Sequence, residues 1–334
     1  MLSRRLLLRS SLGALALLPL AACSRRNGPV LLSPTGQLPK AWSDSLPAPW
    51  ALQEAARPQA VLDAVQGDGS RPALVALSDA WASSLAPASL APGLWQPLQA
   101  PALLARLAAA AAPVSRLYGA PDAAPVAFPW ALSPWVLALR SQPELVADAQ
   151  QSWQVLLDAR LKGKLVLPSS PRISIELMGA DPTRLRQLRG QALAYDEAQG
   201  LNLLLNGEAR AAVLPLQRLI PLLRRDPRLQ VVLPASGAPL TWQLLLRPAG
   251  SAVAPPLDWM GQVLNQPLLS KLLVAGWLPP LPRAELSGAL AKLPRAVAKL
   301  LLPSDAVLQR CWSLPPLPAS QRLAWQTLWD ASAP

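Results

Sequence analysis

The sequence predicts an α/β fold built from short elements, and three observations predict it. Short apolar runs recur between stretches whose apolar residues fall at helical spacing. The 39 prolines among 334 residues interrupt the chain too often for a coiled coil or extended helices. Hydrophobic residues make up 51% of the chain, enough for a sizeable core, and the length leaves room for two lobes.

Composition also excludes functions. The chain has no histidine, which removes His-based triads, His-containing zinc sites and the commonest general base. Two cysteines, Cys23 and Cys311, cannot build a thiolate metal cluster. No metal and no cofactor is expected. The net charge of +12 raises the question of nucleic acid. The arginines are scattered, however, and no aromatic-basic ribbon accompanies them. Dispersed surface charge, with no nucleic-acid partner, is the reading adopted.

The first 23 residues form a leader. Ser3-Arg4-Arg5-Leu6-Leu7-Leu8-Arg9 follows the twin-arginine (Tat) pattern, with Leu7 where Phe is commonest and Arg9 where Lys is commonest. The apolar run 12–20 is shorter than the ~20 residues of a membrane span. Leu20-Ala21-Ala22-Cys23 then resembles a bacterial lipobox, so Cys23 is expected to carry lipid and anchor an exported protein to a membrane. Loss of Arg4, Arg5 and Arg9 with the leader leaves a net charge of about +9. Sec leaders also carry arginine pairs, so the Tat and Sec routes both stay open. Ser24 follows the cysteine, and the missing Asp points weakly to the outer membrane. Cys311 is then unpaired and reads as a small buried hydrophobe. No later stretch is apolar and long enough to span a bilayer.

The remaining elements follow in order. Residues 30–32 are a strand, and Ser33-Pro34-Thr35-Gly36 turns out of it. Residues 39–50 are Pro- and Trp-rich and irregular, 60–65 a helix, 73–77 a buried strand. Ser78-Asp79-Ala80-Trp81 comes directly after that strand. Polar groups and an indole at a strand's carboxyl end suit a ligand. Equally, Asp79 can cap the next helix while Trp81 packs beneath it. Residues 102–112 read as an Ala/Leu helix and 136–139 as a strand after the segment 126–135. Core packing alone explains Trp130 and Trp135 in that segment.

The segment Ser152–Arg172, SWQVLLDARLKGKLVLPSSPR, is the clearest unit. Trp153, Leu156, Leu157 and Leu161 fall at helical spacing. Lys162-Gly163-Lys164 stops that helix, 165–167 is a buried strand, and Pro168-Ser169-Ser170-Pro171 is a polar loop. Ligands of α/β sheets bind just beyond such strand ends. Helices follow at 173–178, 183–193 and 196–205, a strand within 207–213, a helix at 216–225 and a strand at 229–233. Helices at 257–264, 267–273, 297–301, 304–311 and 320–329 end the chain.

The segment Trp153–Arg172 resembles the signature of bacterial extracellular solute-binding proteins of ABC transporters, the polyamine (spermidine/putrescine) type above all. A second likeness lies in Pro234–Pro248, where Trp242 keeps an aromatic position that this family uses to hold an amine. The acidic partner expected beside it falls at Gln243 or Leu244, so that carboxylate is lost. The resemblance covers roughly residues 70–330. It implies a two-lobed periplasmic-binding-protein fold of type II, each lobe a central mixed sheet flanked by helices. Lobe 1 would comprise 28–132 plus 243–285, and lobe 2 would comprise 133–242 plus 286–334.

The resemblance further implies a receptor that closes on a small organic solute and docks on ABC permease subunits. The expected ligand-binding residues are Ser78, Asp79, Trp81, Trp130, Ser170, Trp242 and Gln243, in a monomeric, non-enzymatic, lipid-anchored periplasmic protein. Indole faces and a carboxylate suit a cation. With Asp79 the one good acid, the ligand reads as a small monocation, a zwitterion or a neutral molecule more than a polyamine. Tyr118 and Tyr195 stand apart, which disfavours ferric iron held by adjacent tyrosines. The alternative is a non-transport lipoprotein keeping the bilobal fold as a scaffold, with its cleft filled. No nucleophile-base or paired-carboxylate constellation supports an enzyme.

Overall fold

A computed structural model describes residues 28–67, 69–84 and 93–334. The leader, its twin-arginine motif and Cys23 lie outside the described residues. The strands are β1 (Val30–Pro34), β2 (Ala51–Ala55), β3 (Leu74–Ser78), β4 (Ala127–Arg140), β5 (Leu165–Leu167), β6 (Ala192–Tyr195), β7 (Ala211–Pro215), β8 (Leu229–Val232) and β9 (Leu240–Leu246). Their order is β2-β1-β3-β9-β4-β7-β5-β6, with β8 also on β4. The sheet is mixed. β1 runs parallel to β2 and β3, and β5 parallel to β6 and β7. β9 is antiparallel to both β3 and β4.

β4 is the long strand that joins the two halves. Its first part, 127–134, pairs with β9, and its second part, 135–140, pairs with β7 and β8. Two prolines sit in it, which a central strand does not tolerate. Both fall in the first part, where β9 is the one strand partner, and the register shifts between Pro129 and Ala131. The missing N–H groups therefore cost no ladder bond on a second side.

Burial along β4 alternates with period two. Val136 and Ala138 join the larger apolar core, while Trp135, Leu137 and Leu139 join a second core on the opposite face. The larger core runs from β1 and β3 through Trp42, Trp130 and Trp259 to Leu214 and Ile220, so it is continuous across both halves. Val297 and Leu301 also enter it, whereas Trp325, Leu328 and Trp329 of the last helix, Ala319–Ala331, pack on the second core.

Several elements differ from expectation for identifiable reasons. The helix expected over 153–161 is two 3₁₀ turns, Trp153–Leu157 and Ala159–Leu161, split at an extended Asp158. The Leu157 carbonyl, which an α-helix would spend internally, accepts from the side chains of Gln187 and Gln191 at 3.2 and 3.1 Å. The helix expected over 102–112 is broken into Pro101–Leu104, Ala109–Ala111 and Ala112–Ser115. Between them the Ala108 N–H donates to the Pro280 carbonyl at 2.7 Å, so a tertiary bond overrides strong helix propensity. The stretch 39–50, read as irregular, contains the helical turn Lys40–Ser43. β2 follows it in a sequence, ALQEA, too polar at its centre to register as an apolar run.

Candidate functional site

The site is built where β3 ends, beside β9. Asp79 opens the helix Asp79–Ser84 directly after β3 and is 2% exposed. Its Oδ1 accepts from the Trp242 backbone N–H at 3.0 Å, and its Oδ2 accepts from the Tyr118 hydroxyl at 2.8 Å. Burial raises its pKa from 3.8 to about 6, against the lowering effect of the Trp242 and Tyr118 hydrogen bonds. Burial first, and the Asp79 carboxylate next, push the Tyr118 phenol well up, so it stays protonated and donates. Tyr118 holds a left-handed backbone with φ 62°, as does Leu117 at 48°, a conformation that costs a β-carbon-bearing residue about 1–2 kcal/mol.

The facing wall comes from the other half. The loop after β5 leads into the helix Pro171–Leu177, whose Arg172 pairs with Glu176 at 3.6 Å. Burial lowers the Arg172 pKa, while Glu176, Tyr118 and Asp79 all act to raise it, which places this guanidinium within electrostatic reach of the Asp79 carboxylate. Glu176 also accepts from the Trp312 indole N–H at 3.2 Å. The backbone of Trp312 lies against the start of β9, accepting from Leu240 N–H at 2.7 Å and donating to Ala238 at 3.1 Å. Ser313 accepts from the Trp242 indole N–H at 2.9 Å.

The structure gathers Asp79, Trp242, Gln243 and Ser78 at one junction. Ser78 pairs in register with Gln243, and Gln243 Oε1 accepts from Gln37 in the loop after β1 at 2.7 Å. Trp81 is 37% exposed on the helix that Asp79 starts. Ser170 is exposed at the mouth of the β5 loop, just before Pro171–Leu177. Trp242 is fully buried, so its backbone amide rather than its indole face meets Asp79. Trp130, expected on the cleft wall, lies instead inside the core at 0% exposure. It packs against Trp42 at 5.2 Å and Trp277 at 5.0 Å. It is the unpaired residue at the register shift between Pro129 and Ala131, and its indole enters the tryptophan cluster.

Sequence reasoning missed Tyr118, Glu176, Trp312, Ser313 and Gln37 as members of this junction. Tyr118 carried a weak signal, being one of two tyrosines and standing before Gly119-Ala120-Pro121. The others come from distant segments with no local mark. Among the described residues no group of three or more His, Cys, Asp or Glu side chains converges to hold a metal ion.

The same architecture recurs in solved structures. A spermidine/putrescine ABC transporter substrate-binding protein from Streptococcus pneumoniae superposes with a TM-score of 0.69 at 12% identity, covering 91% of this chain and 98% of that one. This is the solute-binding-protein fold of ABC transporters. A periplasmic thiamin binding protein matches that fold too, with a TM-score of 0.63 at 14% identity over 92% of this chain and 96% of the other. An ABC transporter protein from Clostridium perfringens gives 0.63 at 13% identity over 91% and 98%. The sequence matches no family profile and no curated protein. In this chain β4 is the strand shared by the two halves of the sheet, and the Asp79 junction lies beside β9, which pairs with the first part of β4.

Proposed function

We propose that the chain is an exported solute receptor of an ABC importer, anchored by lipid on Cys23, with its ligand held at the Asp79 junction between the lobes. The observation that carries the reading is the buried Asp79 carboxylate at the end of β3, tied to β9 through the Trp242 N–H and to Tyr118, with the Arg172–Glu176 pair acting on the same group of residues electrostatically. The charge there is two carboxylates and one guanidinium. Such a balance suits a monocation or a zwitterion; a polyamine brings at least two ammonium groups and would leave one poorly neutralised. The solved neighbours are named for spermidine/putrescine and for thiamin, so the shared fold itself leaves the ligand open.

One observation favours a second reading, a bilobal scaffold that no longer binds. Both Asp79 oxygens are taken by the protein's own donors, and the Trp242 indole is fully buried. A thermal-shift screen of amino acids, choline-like cations, thiamine, polyamines and sugars separates the two. A ligand at a hundred times its dissociation constant adds about 2.7 kcal/mol to stability. A clear upward shift with one charge class establishes the receptor; silence across the panel from a folded chain supports the scaffold.

A further inference from the structure

A groove of about 400 Å³ lies away from the Asp79 junction, floored by Ile220, Val274, Leu293 and Val297 and edged by Pro221 and Pro294. It brings together three separate elements: the turn Ile220–Leu223 after β7, the helix Leu268–Val274 and the helix Arg295–Leu301. Val274 is 52% exposed there. Arg224 and Arg225 line the groove directly. Lys271 stands one turn before Val274, while Lys292 and Arg295 bracket Leu293 and Pro294. All five cations are exposed, and the stretches 220–225, 268–275 and 291–299 contain no carboxylate. Asp226, next along the chain, is already held by Arg228 at 2.7 Å.

What sets this face apart is the clustering of cations about an apolar groove without a neighbouring carboxylate. Arg106, Arg160, Arg228 and Arg283 each sit against an acid within 3.3 Å. None of the five groove cations has a side-chain ion pair or hydrogen bond among the described residues. A cluster of one sign around an aliphatic floor repels itself unless something negative and apolar meets it. Single-stranded nucleic acid is held by stacking on aromatic faces, and no aromatic side chain lines the groove; a duplex would not use the apolar floor. A protein partner would need carboxylates spaced to match the cations, whereas a lipid surface supplies negative charge at any spacing. Diffuse negative charge over an apolar layer is the complement that remains.

We propose that this face docks on an anionic lipid surface, with the five cations in the headgroup layer and the Val274 floor against the acyl boundary. The docking is separate from the solute reading and from the lipid on Cys23. Basic residues near such a surface each contribute roughly a fivefold gain in partitioning, and the gain falls off with salt.

The test is co-sedimentation of the full chain with vesicles of phosphatidylglycerol mixed with phosphatidylcholine, against phosphatidylcholine alone. Residues 1–27 are common to every variant, so differences between variants report the patch. Arg224→Gln/Lys271→Gln is expected to lower the anionic-to-zwitterionic partition ratio about 25-fold. Arg184→Gln/Arg322→Gln removes the same charge from other exposed positions and is expected to change it less than about threefold. Unchanged thermal midpoints certify that both variants fold. Equal losses in the two variants would assign the effect to net charge and overturn the proposal. A wild-type chain with no preference for anionic vesicles would overturn it as well.

Discussion

Asp79 is the residue on which stability and function meet. Its carboxyl is raised from 3.8 to about 6 in the folded chain, chiefly by burial. The folded state therefore holds the proton more tightly than the unfolded state does. Stability from this group is fully present below about pH 4 and is lost as pH rises through about 6, a difference of about 3 kcal/mol. Asp158 and Asp226, held down to about 2 chiefly by hydrogen bonds from Arg160 and Arg228, have the opposite sign and act at lower pH. Asp79→Asn is expected to abolish the decline between pH 4.5 and 7 in denaturant-unfolding measurements and to leave the variant more stable than wild type at pH 7. An unchanged pH slope would refute the assignment. At this scale the sequence offered Asp79 as a helix start or a ligand group, and the structure uses it as the first residue of a helix that also anchors β9. Its partners were illegible because Tyr118 and Trp242 lie 39 and 163 residues away.

At the scale of elements, the tryptophans do the packing that the sparse phenylalanines and tyrosines do not. Trp42 and Trp259 stack at 4.4 Å with an interplanar angle of 13°, and each indole N–H donates to the other's backbone carbonyl at 3.0 Å. Trp130 lies beside them, but its indole nitrogen is buried with no partner among the described residues. Trp259→Phe is expected to cost about 2 kcal/mol, since it removes one of the two reciprocal indole hydrogen bonds and leaves a void in the stack, while Trp130→Phe loses no hydrogen bond and costs less. Unfolding free energies in the reverse order would contradict this packing account.

Gly237 makes a second element-scale prediction. Its φ is +86°, and a Cβ there would meet the Arg310 carbonyl oxygen at 2.0 Å. Gly237→Ala should therefore destabilise by at least about 2 kcal/mol in the same assay, pushing the Arg310–Ser313 stretch off the start of β9. Strands with continuous apolar runs, such as β3 and β5, were legible, as were helices with a clear cap such as Glu197–Asn206 behind Asp196. The 3₁₀ turns at 153–161 and the broken helix after Pro101 were not, because side-chain and tertiary bonds from remote residues decide them.

For the whole molecule, alternation of short strands and helices gave the α/β class, and the Trp153–Arg172 and Pro234–Pro248 likenesses gave the bilobal form. What periodicity could not give was the passage of β4 between the halves, since β4 carries two prolines in a strand that local rules would have ended. Beside it, β9 holds Asp79 through the Trp242 N–H, and that junction is the basis for the proposed solute receptor. The most direct measurement is calorimetric titration of the best solute from the thermal-shift panel into wild type, Asp79→Asn and Trp130→Phe. The account predicts a monocation or zwitterion that binds wild type and Trp130→Phe alike and at least tenfold more weakly to Asp79→Asn, a loss of about 1.4 kcal/mol or more. Equal affinity across all three chains, or no solute bound by a folded wild-type protein, would contradict it.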